Sequence, residues 1–260
     1  MQKKPRILIT NDDGIEAPGI YSLWKSLKDH CQVSIIAPAT EKSGVGLCIT
    51  LREPLHIQEV KWEENTPAWK INGTPADCVR LGMNVLLKNP PDLIVSGINK
   101  GANSGRTVLY SGTVAGVIEG TMQNVPGIAF SCHNFVNPDY SLCEEYIYPF
   151  VQYLLDHPLP KGSFLNVNFP DEPKERIKGC KLAKQGMSYF KEDPAKRVHP
   201  EGHEYYWLGG KWEQAEDEHE ESDVHLLNEG YITAVPLQIH QLTDHHIFQT
   251  RKEHFSSLFS

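Results

Sequence analysis

Arg6-Ile7-Leu8-Ile9-Thr10-Asn11-Asp12-Asp13-Gly14-Ile15 opens as a strand and closes as a turn. Residues 6–10 are mostly apolar and β-branched without a helical period, the pattern of a central strand covered on both faces. Asn11-Asp12-Asp13-Gly14 is turn chemistry, and Ala17-Pro18-Gly19-Ile20 then begins a helix. In open α/β sheets, ligands sit at the carboxyl ends of the strands. Two neighbouring carboxylates at that edge repel each other and lose water, so a cation is their natural partner. A helix cap beside a solvated turn residue explains the same pair without a ligand, so the choice rests on the rest of the chain.

Working outward, residues 18–30 place Ile20, Leu23, Trp24 and Leu27 on one helical face, and 32–37 form a second buried strand stopped by Pro38. Strand, helix, strand at this spacing implies a parallel βαβ unit with a right-handed crossover. A small polar loop, Ala39 to Gly46, follows at the same sheet edge as Asp12. Residues 55–60 and 68–71 are expected to form a β-ribbon excursion. Thr74-Pro75-Ala76-Asp77 is a helix start: Thr74 caps, Pro75 suits the first helical position, and Asp77 reaches back to the cap. That helix runs to about Leu87, before Pro90-Pro91. Residues 92–95 are a third core strand, and 96–112 are expected to be a long Gly-, Ser- and Asn-rich loop of the kind that usually has a function. Helices over 113–123 and 141–157 and strands over 127–132 and 164–168 complete the core. Beyond Lys181, aromatics, glycines and charges interleave as projecting hairpins. A helix over 223–229, a strand over 231–237 and a polar tail over 243–260 follow. The fold class is therefore α/β: a Rossmann-like three-layer core with a mostly parallel sheet (1–180) and a C-terminal β-hairpin extension and arm (181–260), the latter assigned to oligomerisation.

With 260 residues, core area is not limiting. Hydrophobic residues at 40% and charged residues at 22% fit an ordinary globular protein. A net charge of -8 without a basic stripe argues against extended nucleic acid, and an acidic protein that handles phosphates needs a metal to offset repulsion. No CxxC pair occurs among the six cysteines, so free buried thiols in a reducing compartment are expected. Met1-Gln2-Lys3-Lys4-Pro5 leads into an apolar run too short for a signal peptide. No segment approaches the ~20 residues that cross a bilayer. A cytoplasmic protein without membrane contact is the expectation.

Parallel strands bring the loops carrying Asp12, Asp13, Ser43 and Asn99 to one rim. Two carboxylates, a hydroxyl and an amide carbonyl form a hard-ligand set for Mg²⁺, Mn²⁺ or Ca²⁺. An ST-turn at Ser43 and an Asx-turn at Asn99 are the ligand-free alternatives. Ser111-Gly112-Thr113, directly before a helix, reads equally as an anion site or as a plain cap. Neither a Walker loop nor a strand-linked GxGxxG is present. Of the twelve histidines, the adjacent pair His245-His246 is the most metal-like, but neighbours on a regular element cannot both face one ion, and a surface role is expected. Tyr205-Tyr206-Trp207 reads as hairpin packing, with stacking of a nucleobase as the alternative.

Thr10-Asn11-Asp12-Asp13-Gly14, Ala37-Pro38 with Ser43-Gly44, Asn72-Gly73-Thr74-Pro75-Ala76-Asp77, Ser96-Gly97-Ile98-Asn99 with Gly101-Ala102-Asn103, and Tyr110-Ser111-Gly112-Thr113-Val114 occur in that order. Together they resemble the SurE family of survival-protein nucleotidases. The resemblance implies a metal-dependent phosphatase acting on nucleoside 5′- and 3′-monophosphates, with one divalent ion (Mg, Mn or Ca) per subunit and a homo-oligomer, dimer or tetramer. It implies Asp12, Asp13, Ser43 and Asn99 as metal ligands, and Asn103, Ser111, Gly112 and Thr113 as the phosphoryl pocket. Asp12 and Asn103 are the expected catalytic groups, with Asp12 orienting a metal-activated water; an aspartyl-phosphate is the alternative route. Gly105-Arg106-Thr107 departs from the acidic pair that relatives often carry there. A receiver-like module is a competing reading, but it needs a lone Asp after the third strand, where this chain has Ser96 and Asn99. A non-catalytic nucleotide-binding regulator is the other competitor.

Overall fold

The computed structural model describes residues 4–259. Met1, Gln2 and Lys3, on which the leader reading partly falls, and Ser260 of the tail lie outside the described residues. In chain order the elements are β1 (Arg6–Thr10), α1 (Pro18–Leu27), β2 (Gln32–Pro38), β3 (Ile57–Glu59), β4 (Ala68–Ile71), α2 (Pro75–Leu81), β5 (Leu93–Lys100), α3 (Gly112–Met122), β6 (Gly127–Cys132), α4 (Ser141–Asp156), β7 (Ser163–Phe169), β8 (Cys180–Leu182), β9 (Tyr189–Glu192), β10 (Ala195–Val198), β11 (Glu204–Trp207), β12 (Gly210–Glu213), α5 (Asp223–Asn228), β13 (Ile232–Gln238) and α6 (His245–Ser257).

Among the described residues, one nine-stranded sheet runs β3-β4-β2-β1-β5-β6-β7-β13-β8. Its centre is parallel, β1 pairing Ile7 with Val33 of β2 and with Leu93 of β5. The antiparallel pairs are β3 with β4 and β13 with β7. Successive side chains of a strand point to opposite faces. Ile7 and Ile9 accordingly join a core with Ile20, Leu23 and Trp24 of α1 and Ile147 and Val151 of α4. Leu8 joins Ile36, Cys78 and Val79 on the α2 side. Each such side chain, fully buried, is worth about 1.5–3 kcal/mol. Helices cover both faces, so the core has three layers. From β1 the chain order runs outward in both directions, through β2 on one side and β5 on the other. The β1/β5 boundary is thus a topological switch point, where such sheets open a crevice for ligands.

Several expectations need correction. β5 does not stop at Val95 but continues to Lys100, with a register shift between Ser96 and Asn99. A 3-10 turn occupies Gly105–Tyr110, so 96–112 is only partly a loop. Glycine and asparagine masked a strand that a bulge carries past them. β4 is not part of a free excursion, since it pairs parallel with β2 inside the main sheet. The tail forms α6, capped by Asp244, whose side chain accepts from Ile247 N at 2.9 Å. Tyr205, Tyr206 and Trp207 are exposed on β11 rather than packed. β9 with β12 and β10 with β11 form two nested antiparallel ladders outside the main sheet, whereas β13 inserts between β7 and β8. Cys48 and Cys180 are exposed, and the other four free thiols are buried. No helix among the described residues is long and apolar enough to cross a membrane.

Candidate active site

Thr10 ends β1 opposite Ser96 of β5, and the chain turns immediately afterwards. Gly14 takes a φ of +97°, which an L side chain rarely adopts, and Asn11 Nδ2 donates to Gly14 O at 2.8 Å to close the turn. The turn leaves Asp12 buried and Asp13 half-buried at the switch point.

Asp12 points at the start of α3. Thr113 Oγ1 donates to Asp12 Oδ1 at 2.5 Å. Gly112 passes so close that a Cβ built there would lie 2.7 Å from Asp12 Cβ and 2.9 Å from Oδ2. Burial pushes the Asp12 carboxyl up to about 7; the Thr113 hydroxyl opposes that rise and the Asp13 charge adds to it. Asp13 is also raised by burial, against the backbone N–H of Lys100, which reaches its Oδ2 at 3.3 Å. The other oxygen, Asp13 Oδ1, is buried and accepts no hydrogen bond. Leaving a buried acceptor unmade costs about 1–3 kcal/mol, and more when it is charged.

The loop after β2 folds over this pair. Lys42 N donates to Asp12 O at 2.7 Å, and the next residue, Ser43, is exposed with its hydroxyl donated to Glu41 Oε1 at 2.7 Å. On β5, Asn99 Nδ2 donates to Gly101 O at 2.8 Å. That commits the nitrogen and leaves Oδ1 as the acceptor end. The loop after β2 and the end of β5 thus meet the aspartate pair at one sheet edge, through Lys42 N on Asp12 O and Lys100 N on Asp13 Oδ2, and hard oxygen donors suit an alkaline-earth or manganese ion.

Ser111 caps α3, its Oγ accepting from Val114 N at 3.1 Å. The helix is thus capped, and the Asp12 carboxylate lies against its first turn through Thr113. Asn103 is buried behind it. Its Nδ2 donates to Ser131 Oγ at 2.8 Å and to Thr113 Oγ1 at 3.4 Å. Its backbone N donates to Asn168 Oδ1, and its carbonyl accepts from Asn166 Nδ2, each at 2.8 Å. A cavity of about 300 Å³ opens beside Asp13, lined by Gly14, Ala39, Thr40, Lys100 and Tyr140 among others.

Sequence reasoning missed the residues behind the site. Ser131, Asn166 and Asn168 hold Asn103, and all are fully buried. Their signal was present as polar residues at core positions of two apolar strands. Asp223 was also missed. It accepts from Gly105 N at 3.1 Å, Gly186 N at 2.8 Å and Gln185 Nε2 at 3.0 Å. Burial raises its carboxyl to about 6 against the amide donors of Gly186 and Gly105. It ties the loop that departs from the family pattern to the C-terminal third, a link that sequence distance hides.

The family model described as Survival protein SurE matches residues 7–192. The 5′-nucleotidase SurE of Protochlamydia amoebophila is 51% identical over 247 residues, covering 94% of this chain and 94% of that protein. The 5′-nucleotidase SurE of Heliobacterium modesticaldum is 40% identical, over 94% and 89%. The crystal structure of the SurE protein from Aquifex aeolicus superposes with a TM-score of 0.82 at 36% identity, over 96% of this chain and 100% of that one.

Proposed function

The chain belongs to the SurE family, and from that premise we propose that Asp12, Asp13, Ser43 and Asn99 hold one divalent cation (Mg, Mn or Ca) beside a phosphoryl pocket of Asn103, Ser111, Gly112 and Thr113. The protein is a metal-dependent 5′-nucleotidase, a phosphoric monoester hydrolase that converts nucleoside 5′-monophosphates to nucleoside and phosphate. Nucleoside 3′-monophosphates are proposed as further substrates. The observation that carries the site assignment is the buried, unpartnered Oδ1 of Asp13 beside the buried Asp12 at the switch point.

When bound, the cation screens phosphate charge and lowers the pKa of a coordinated water. The chain supplies the rest. Asp12, held in one rotamer by Thr113, orients the attacking water and accepts its proton. Asn103, fixed by Ser131, Asn166 and Asn168, and the amides at the start of α3 bind the equatorial phosphoryl oxygens; positioning and electrostatics supply most of the acceleration. Lys100 and Tyr140 line the cavity beside Asp13, where the nucleoside is accommodated. The chain works in the cytoplasm as a homo-oligomer, dimer or tetramer.

Phosphate release from a panel of 5′- and 3′-mononucleotides, with and without chelator, tests this reading. Turnover that chelation abolishes and a single divalent ion restores is expected. Binding without phosphate release would instead mark a nucleotide-responsive regulator, and a phospho-aspartate trapped during turnover would replace the water route.

A further inference from the structure

The tip of the nested hairpins carries chemistry that the phosphatase site does not use. β10 and β11 are joined by His199-Pro200-Glu201-Gly202-His203. The turn is closed twice, by Gly202 N donating to His199 O and by His199 N donating to His203 O, each at 2.8 Å. Gly202 adopts a φ of +92°, and Pro200 fixes its own φ. This backbone holds both imidazoles on one side, their rings stacked 5.3 Å apart and tilted by 19°. The Glu201 carboxylate reaches the same place, with Oε2 3.3 Å from His203 Nε2 and 3.8 Å from His199 Nδ1. Ligand atoms of all three lie within 4.8 Å of one another. Glu201 N donates to His199 Nδ1 at 3.3 Å; an ion bound at that nitrogen would take its lone pair and displace this hydrogen bond.

Four-coordinate zinc has ligand bonds of about 2.0–2.2 Å, which sets neighbouring ligand atoms about 3.3 Å apart. The Glu201–His203 separation already has that length, and the Glu201–His199 separation of 3.8 Å is longer, so the exposed His199 ring must turn for all three to bind one ion. Imidazole suits Zn²⁺, Cu²⁺ and Ni²⁺, whereas all-oxygen sets suit Mg²⁺ and Ca²⁺. We propose that His199, Glu201 and His203 form a second metal site, for a transition-metal ion of the Zn²⁺ class, chemically distinct from the Asp12 site. Two imidazoles and one carboxylate leave a fourth position for water. Bound metal would clamp the tip of the hairpin, a surface held otherwise by hydrogen bonds and ion pairs such as Lys196 with Glu204.

Equilibrium dialysis of the full-length protein against Zn²⁺, with Mg²⁺ in excess throughout, tests the proposal. The wild type should take up one more Zn²⁺ per chain than the double variant His199→Ala/His203→Ala. That variant should keep its Mg²⁺-dependent phosphatase activity, because among the described residues the side-chain hydrogen bonds of His199, Glu201 and His203 stay within the hairpin tip. Glu201→Gln should weaken the extra site by about tenfold or more, since removing even an outer-shell partner costs about 10–100-fold. Anomalous scattering at the zinc edge from a soaked crystal should place the ion on these three side chains. Equal Zn²⁺ uptake by wild type and double variant, or an anomalous map with zinc only at the Asp12 site, would overturn the proposal.

Discussion

Asp12 sits where two demands conflict: it must be buried to be held, and it must carry charge to act. Burial raises its carboxyl to about 7 in the absence of a cation, against about 3.9 for an unfolded aspartate. A carboxyl raised by folding contributes stability that is complete below the unfolded value and is lost as pH climbs through the folded one. Chelated protein should therefore lose this contribution between about pH 4 and about pH 7. A divalent ion should restore more of the melting temperature at pH 8 than at pH 5, as differential scanning fluorimetry of wild type and Asp12→Asn can read. A metal-induced gain that is equal at both pH values in the wild type would contradict it. In catalysis, Asp12→Asn should lower kcat on the order of 10³-fold, the scale of losing one preorganised electrostatic group. Full metal-dependent turnover in steady-state assays of that variant would remove Asp12 from the mechanism. At this scale a cap and a ligand pair read alike from these residues alone, but the place of Asp12-Asp13, in the turn that ends the buried first strand, was legible from the apolar run before it and the glycine after it. The side chains that hold Asn103 were not, because Ser131, Asn166 and Asn168 are separate polar residues inside apolar strands and only the fold aligns them.

Helix starts set the site's tolerances. α3 begins against Asp12 so closely that Gly112→Ala places a methyl within 2.9 Å of Asp12 Oδ2. Circular dichroism should report an intact fold while kcat falls about 10²-fold, the cost of a displacement near 1 Å. Near wild-type kcat would mean that the approach is not needed. α2 is anchored by its capping box. Asp77 N donates to Thr74 Oγ1 at 3.2 Å, and Thr74 N donates to Asp77 Oδ2 at 2.9 Å. Thr50 adds bonds from its N at 3.0 Å and its Oγ1 at 2.6 Å. Partial burial works against the Asp77 charge, yet the donors from Thr50 and Thr74 hold its carboxyl below the usual range. Asp77→Ala should therefore cost about 1–3 kcal/mol in urea unfolding at neutral pH. The deficit should shrink as pH falls below about 4, where protonation removes the contribution in the wild type. The box was readable because Thr-Pro-x-Asp states its own geometry. The end of β5 was not, because Gly97 and Asn99 carry loop chemistry: Gly97 sits in the register shift, and the partner of Asn99, Ser131, lies in β6.

Across the whole molecule, the order β2-β1-β5 puts the loops after these strands on a common edge, and a βαβ reading of residues 6–37 already implied that edge. The C-terminal third was less legible because its partners are remote: β13 enters the sheet between β7 and β8, and Asp223 reaches Gly105. α6 contributes no buried residue, and it and the two residues after it leave Ile247, Phe248, Phe255, Leu258 and Phe259 exposed. Exposed apolar side chains on one terminal segment fit an interface, so removal of residues 243–260 should lower the oligomer mass by light scattering, and an unchanged mass would assign assembly elsewhere. The reading as a whole stands on oxygen donors from separate loops converging on one cation. A crystal soaked in Mn²⁺ and measured at the manganese edge tests that most directly. The account predicts one anomalous peak per subunit, within bonding distance of Asp12, Asp13, Ser43 and Asn99; a crystal of active protein with no peak at that position would contradict it.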